Sequence, residues 1–138
     1  LHSIGINVRT HVHLAQARDS KVSASRPLRW MSLSAKVGSI EDNGLGGWYS
    51  YRMSKAALNM LIKNLAIEWG RKSPISIVTA VHPGTTDTQL SMPFQRNIPA
   101  QRLYSPKQTA QRLTALMATL SVHHHGKLLL WDGSPLPW

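Results

Sequence analysis

Cysteine is absent from the 138 residues, which excludes a disulfide framework, a thiolate metal site and a cysteine nucleophile. This fits a reducing compartment, and the expected location is the cytoplasm. Acidic residues are scarce: six Asp and Glu stand against 16 Lys and Arg, a formal net charge of +10. Only Arg71 and Lys72 are adjacent among the basic residues. The charge is therefore scattered over a solvated surface, and a nucleic-acid-binding function is disfavoured. No apolar run approaches the roughly 18–20 residues of a bilayer-spanning helix. The opening Leu1-His2-Ser3-Ile4-Gly5 lacks the charged and apolar regions of a signal peptide, and no initiator Met is present. The expectation from that start is that an upstream portion belongs to the intact protein. Internal repeats are also lacking.

What is there reads as one globular domain over residues 1–138, with 42% hydrophobic residues. Residues 1–18 suit a helix, and residues 19–27 a loop closed by Pro27. Leu28 to Leu33 reads as a short strand, followed by a glycine-containing loop from Ser34 to Trp48. Ala56, Ala57, Met60, Leu61 and Leu65 recur at helical spacing within Ser50 to Trp69, with Gly70 placed as a C-terminal cap. Leu58 and Ile62 widen the apolar face, so this helix is expected to be buried on more than one side. The β-branched run Ile75 to Val81 suits a strand buried on both faces of a parallel sheet, and stops at Pro83-Gly84. A loop then continues to about Leu103. Ser105-Pro106 predicts an N-cap and first helical position, after which Ala110, Leu113, Leu116, Met117 and Leu120 share a face. Lys127 to Trp131 reads as a last strand. Strand, helix, strand, helix, strand in this order implies an α/β fold with a parallel sheet.

The chemistry concentrates in Tyr51-Arg52-Met53-Ser54-Lys55. Positions four apart share a helix face, so the Lys55 ammonium can stand beside the Tyr51 phenol. A free phenol titrates near pH ~10, and a neighbouring cation favours its ionised form. Such a pair suits proton transfer to or from a carbonyl or alcohol oxygen. Tyr49 has Met53 in the corresponding position and lacks that neighbour.

The stretch from Gly46 to Asn59, GGWYSYRMSKAALN, resembles the active-site segment of the short-chain dehydrogenases/reductases. Within that superfamily it is most similar to the branch of the bacterial C-factor (cell-contact signalling) and the Sniffer-type carbonyl reductases. Ser34 to Ile40, Val81-His82-Pro83-Gly84-Thr85-Thr86-Asp87-Thr88 and Trp131-Asp132-Gly133 also match that branch. The likeness runs from Ser32 to Trp138, with a weaker match at Ile6-Asn7-Val8. It implies the C-terminal part of a Rossmann-like doubly wound parallel sheet, an NAD- or NADP-dependent oxidoreductase lineage, and a carbonyl or alcohol substrate. A homodimer or homotetramer is implied for the complete protein. The resemblance makes Tyr51 the general acid/base and Lys55 its partner and a ligand of the nicotinamide ribose. Asn7 would support a water-mediated proton relay. Pro83, Gly84, Thr86 and Thr88 would lie beside the nicotinamide. The family usually carries two serines at the positions of Ser34 and Ala35, the second catalytic; here Ala35 replaces it. Ser34 is the expected substrate-orienting residue, provided that the strand has ended. Ser39, twelve residues before Tyr51, and no serine at all remain alternatives.

One family feature is lacking: no strand–glycine turn–helix unit of the kind that cradles a dinucleotide pyrophosphate occurs. Gly44-Leu45-Gly46-Gly47 precedes the tyrosine helix and is read as a connecting loop. The chain is therefore expected to be a partial domain, weakly active alone. The alternative is a non-enzymatic reductase-like domain acting through protein association or cell-contact signalling. His123-His124-His125 cannot easily converge on one ion, and no carboxylate cluster completes a site. No metal is expected, and the run is read as solvated loop. The five Trp residues are read as core.

Overall fold

The computed structural model describes residues 2–138. The expected N-terminal helix is found from His2 onward; Leu1 lies outside the described residues. Helix α1 (His2–Ile4), a π-helical stretch (Gly5–Arg9) and helix α2 (Thr10–Asp19) follow one another directly. Next come β1 (Arg29–Leu33), α3 (Tyr49–Lys72) and β2 (Ile77–His82). A small pair, β3 (Thr85–Thr86) and β4 (Leu103–Tyr104), flanks the loop that follows. Helix α4 (Pro106–Thr119), β5 (Leu128–Leu130) and β6 (Pro135–Leu136) complete the order.

The main sheet runs β1-β2-β5-β6, with β1, β2 and β5 parallel and β6 antiparallel. Strand β2 sits inside it, and its first five residues are buried. Alternation divides the apolar side chains between two cores. Val78, Ala80 and Leu128 meet α2 and α3 through Ala15, Leu58, Ile62, Leu65 and Trp69. Ile77, Val81 and Leu129 meet α4 through Leu116 and Leu120. Helices thus cover both faces, the doubly wound arrangement expected from the sequence.

Helix α4 starts as predicted. Ser105 Oγ accepts from the Gln108 amide while Gln108 Oε1 accepts from the Ser105 amide, and Pro106 occupies the first turn. Strands β3, β4 and β6 escaped the sequence reading because two residues carry no alternation to detect. The far side of α3 carries exposed Tyr49, Met53, Met60 and Ile67. At 100° per residue these four fall within about 40° of arc, forming one apolar stripe.

Two expectations need correction. Gly70 does not cap α3; the helix continues to Lys72, and Ser73 is the C-cap, its amide donating to Trp69 O. The histidine run is not solvated loop either, since His124 and His125 are half-buried and bonded. His124 Nδ1 accepts from the Ser121 amide at 3.0 Å. His125 Nδ1 accepts from the Val78 amide at 3.2 Å, so its proton sits on Nε2, which donates to Ala66 O at 2.9 Å. The ring ties α3 to β2, and it reaches Ala66 across Gly70, where a Cβ would stand 3.0 Å from His125 Nε2.

Gly70→Ala tests this close approach. Helix preference alone would stabilise by about 1 kcal/mol, but the ring is held at both nitrogens and cannot yield. Urea unfolding should show a net loss of about 1–3 kcal/mol. In a His125→Ala background the same substitution should become stabilising; a gain in the wild-type background would contradict the packing described.

Candidate active site

The first turns of α3 stand over the C-terminal ends of β1 and β2, where open α/β sheets bind ligands. Register brings those ends together: Leu33 pairs with Val81, and the Ser34 amide donates to Val81 O at 2.8 Å. Tyr51 and Lys55 lie one helical turn apart, as their spacing predicts. Lys55 is 8% exposed, and a charge so placed needs a partner. Its Nζ donates to Leu33 O at 2.9 Å and stands 6.0 Å from the centre of the Tyr51 ring. Gly38, ending the short 3₁₀ turn Lys36–Gly38, backs directly onto Lys55.

Asn7 lies in the π-helical stretch, an irregularity often found at functional sites. Its Nδ2 donates to Ser54 Oγ at 3.1 Å, and that hydroxyl donates to Tyr51 O at 2.8 Å. Asn7 is thus joined to the turn that carries the tyrosine and the lysine. Ser34 is buried, and its hydroxyl donates to Asn59 Oδ1, one turn beyond Lys55. Ser39, also buried, donates to Trp138 O at 3.0 Å. Ala35 is buried beside them.

Pro83 and Gly84 follow β2 directly. Thr86 shares a hydrogen bond with Thr109 Oγ1 at 2.9 Å, whereas the exposed Thr88 hydroxyl makes long contacts, to Thr86 O and the Ser91 amide at 3.4 Å and to Ser91 Oγ at 3.5 Å. The same loop returns over the site through a 3₁₀ turn, Met92–Asn97. There Phe94 stacks on the Tyr51 ring, with centroids 6.0 Å apart and planes at 11°, and meets Trp48 edge-on at 4.9 Å. Neither Phe94 nor this use of Trp48 was visible in the sequence, because both contacts join distant segments. Trp48 is not core, as expected of the Trp residues, but 49% exposed. It adopts φ 47°, a left-handed conformation costly for a bulky side chain. Arg52 supports it: its Nε donates to Gly46 O and Gly47 O at 3.0 and 3.1 Å, and its guanidinium faces the indole at 5.8 Å. With the Gly46 amide donating to Asn43 Oδ1, this glycine loop is bonded within itself, as a connecting loop should be.

Tyr51 is half-buried, and its hydroxyl has no protein hydrogen-bond partner among the described residues. Burial pushes the Tyr51 phenol above its ordinary value and the Lys55 ammonium below its own. The lowering of the phenol expected from Lys55 is therefore not the net result here. Desolvation prevails while the ammonium is engaged by Leu33. No group of three or more His, Asp or Glu suited to a metal occurs among the described residues, nor any helix long and apolar enough to cross a membrane.

The short chain dehydrogenase family model matches residues 31–99, from β1 through α3 and β2 to the loop beyond. The chain is 36% identical to 1-hydroxy-2-glutathionyl-2-methyl-3-butene dehydrogenase of Rhodococcus sp. (strain AD45) over 107 residues, 77% of this chain and 45% of that protein. It is 27% identical to the C-signal of Myxococcus xanthus over 106 residues, 77% of this chain and 58% of that protein. Carbonyl reductase Sniffer of D. melanogaster matches in structure with a TM-score of 0.79 at 24% identity, covering 98% of this chain and 55% of that one. NADPH-bound carbonyl reductase from chicken fatty liver gives 0.81 at 24%, covering 100% and 58%. At these identities the structural likeness shows the fold. The chain spans about half the length of the curated relatives it matches.

His82, the last residue of β2, contributes a pH dependence. Burial lowers it to about 4, Lys36 adds a smaller push in the same direction, and its Nδ1 is buried without a partner. The fold holds the neutral ring, whereas the unfolded chain binds a proton near the ordinary 6.5. The unfolded state thus carries more protons between these values, so stability is complete above the upper one and is lost as pH falls toward the lower. Urea midpoints should drop between about pH 7 and about pH 4.5, and His82→Asn should flatten that slope. An unchanged slope in the variant would remove His82 from the account.

Proposed function

Because this chain belongs to the short-chain dehydrogenase family, we propose that it acts in a nicotinamide-dependent oxidoreductase, with Tyr51 moving the proton at a carbonyl or alcohol oxygen. The carrying observation is the half-buried Tyr51, its hydroxyl without a protein partner among the described residues, one turn from an ammonium that Leu33 O holds 6.0 Å from the ring centre. A bound nicotinamide dinucleotide supplies hydride chemistry at the substrate carbon.

The residues present suit one end of that group. After its bond to Leu33 O, the Lys55 ammonium keeps donor capacity for a ribose hydroxyl. The exposed Thr88 hydroxyl, whose protein contacts are no shorter than 3.4 Å, is free to meet a carboxamide. Pro83 and Gly84 offer backbone beside it, and the Thr86 hydroxyl, turned to Thr109, holds the segment's shape. A pyrophosphate cradle does not occur among the described residues, and the glycine loop before α3 is satisfied by Asn43 and Arg52. These 138 residues are therefore proposed to hold a dinucleotide weakly by themselves. NAD and NADP are both compatible with the residues at this end.

In the reduction direction Tyr51 donates its proton to the substrate oxygen, and Asn7, through Ser54, steadies the turn from which it does so. Ser34 enters as a positioning residue: its hydroxyl serves Asn59, next to the seat of Lys55. A small carbonyl or alcohol compound is the proposed substrate class. Phe94 would have to share the face of Tyr51 with it.

A second reading has an observation of its own. The stripe Tyr49, Met53, Met60 and Ile67 on α3 is exposed and apolar, which suits association with another copy of the chain. The C-signal likeness keeps a signalling role by association in view.

Calorimetric titration with NADPH and NADH separates the two. The chain alone should bind with a dissociation constant weaker than about 1 mM. Supplying an upstream strand–glycine turn–helix region should tighten binding and restore carbonyl reduction by at least ~100-fold. Micromolar binding by the chain alone would contradict the weak-cradle reading. An extended form that binds but never reduces would favour association, which sedimentation velocity would read as the mass of two chains.

A further inference from the structure

We propose that Arg112 is a positioning residue that holds the Pro83–Thr88 segment in shape from the far side of the sheet; its nicotinamide role rests on the function proposed above. Arg112 projects from α4 between two rings. Its guanidinium carbon is 3.8 Å from the centre of Tyr104 and 4.0 Å from that of Trp131, which themselves meet at 63°. No carboxylate answers it: the ion pairs among the described residues are Lys36–Asp42 and Lys72–Asp19. Its Nη1 is buried without a hydrogen-bond partner, which costs free energy. Contact of one broad cation with both rings is the interaction that offsets that cost, and a compact Lys ammonium does not reproduce it.

The cage matters because of what Tyr104 touches. Through β4 it pairs with Thr86, and its carbonyl accepts the Asp87 amide at 2.8 Å. Its ring closes on Gly84, which has φ 83° and where a Cβ would come within 2.9 Å of the Tyr104 ring and 3.4 Å of Trp131. One turn before Arg112, the same helix supplies Thr109 to the Thr86 hydroxyl. The segment is therefore pinned at Gly84, Thr86 and Asp87 by side chains of α4 and the aromatic pair they organise. None of these contacts uses Tyr51 or Lys55, so the brace is separable from proton transfer.

Amide hydrogen exchange on the whole chain tests the brace without any dinucleotide. In Arg112→Met the Asp87 amide should exchange about tenfold faster, while the amides of Leu58 and Ile62 in α3 keep their wild-type rates. Arg112→Lys should behave like Arg112→Met, because a compact ammonium leaves one of the two rings without its cation. Unchanged Asp87 protection in both variants would overturn the proposal, as would equal acceleration throughout the chain, which marks a purely global role. Reduced nicotinamide mononucleotide, which needs no pyrophosphate–adenosine cradle, is the second probe. Wild type should bind it at about millimolar concentration and Arg112→Met at least about fivefold more weakly. If wild type takes up none while Asp87 still loosens in the variants, the nicotinamide assignment of the segment fails and the brace stands.

Discussion

The hydrogen bond from Lys55 Nζ to Leu33 O is the constraint on which the rest of the site depends. An ammonium 8% exposed cannot remain charged in an apolar setting without acceptors. The carbonyl that meets it is the last of β1, at the point where the chain leaves the sheet, so one bond fixes both the charge and the distance between β1 and α3. Neighbouring contacts reinforce that distance. Ser34, the next residue, is bonded to Asn59 one turn further along the helix, and Gly38 backs onto Lys55 where a larger residue would push it away. Asn7 completes the frame from the N-terminal side through Ser54. Tyr51 then needs only the first turn of the helix to reach the ends of the strands.

Electrostatics gives this frame its chemical character. Burial disfavours the charged form of both partners, raising the phenol and lowering the ammonium. An added acceptor for Lys55 would favour its ammonium, and an added donor to the phenolate would lower the phenol. Phe94 covers one face of the same phenol and meets the strained Trp48 edge-on. Backbone strain at Trp48 persists because Arg52 and the two glycine carbonyls over-determine the turn.

Much of the frame was legible in the sequence because its signals are local. Tyr51 and Lys55 are four residues apart on one helix, β2 lies in a mostly apolar run rich in β-branched residues, and Ser105-Pro106 announces α4; each is decided within a few residues. What stayed hidden depends on partners distant in the chain. Gly70 reads as a cap until His125, far along the sequence, is seen to need the room. The histidine run reads as loop until Val78 and Ala66 are seen to bond one of its rings. The bond from Ser34 to Asn59 joins residues 25 apart and has no local signal. Arg112, Tyr104 and Trp131 carry no spacing rule at all, and only the fold brings them together.

The central claim is that Tyr51 transfers the proton while the surrounding frame does the holding. The most direct measurement is steady-state carbonyl reduction by Tyr51→Phe, with the coenzyme concentration varied, in a form of the protein that is competent for reduction. The account predicts that kcat falls by at least about 100-fold while the coenzyme KM stays within about twofold of wild type. A kcat close to wild type would contradict it.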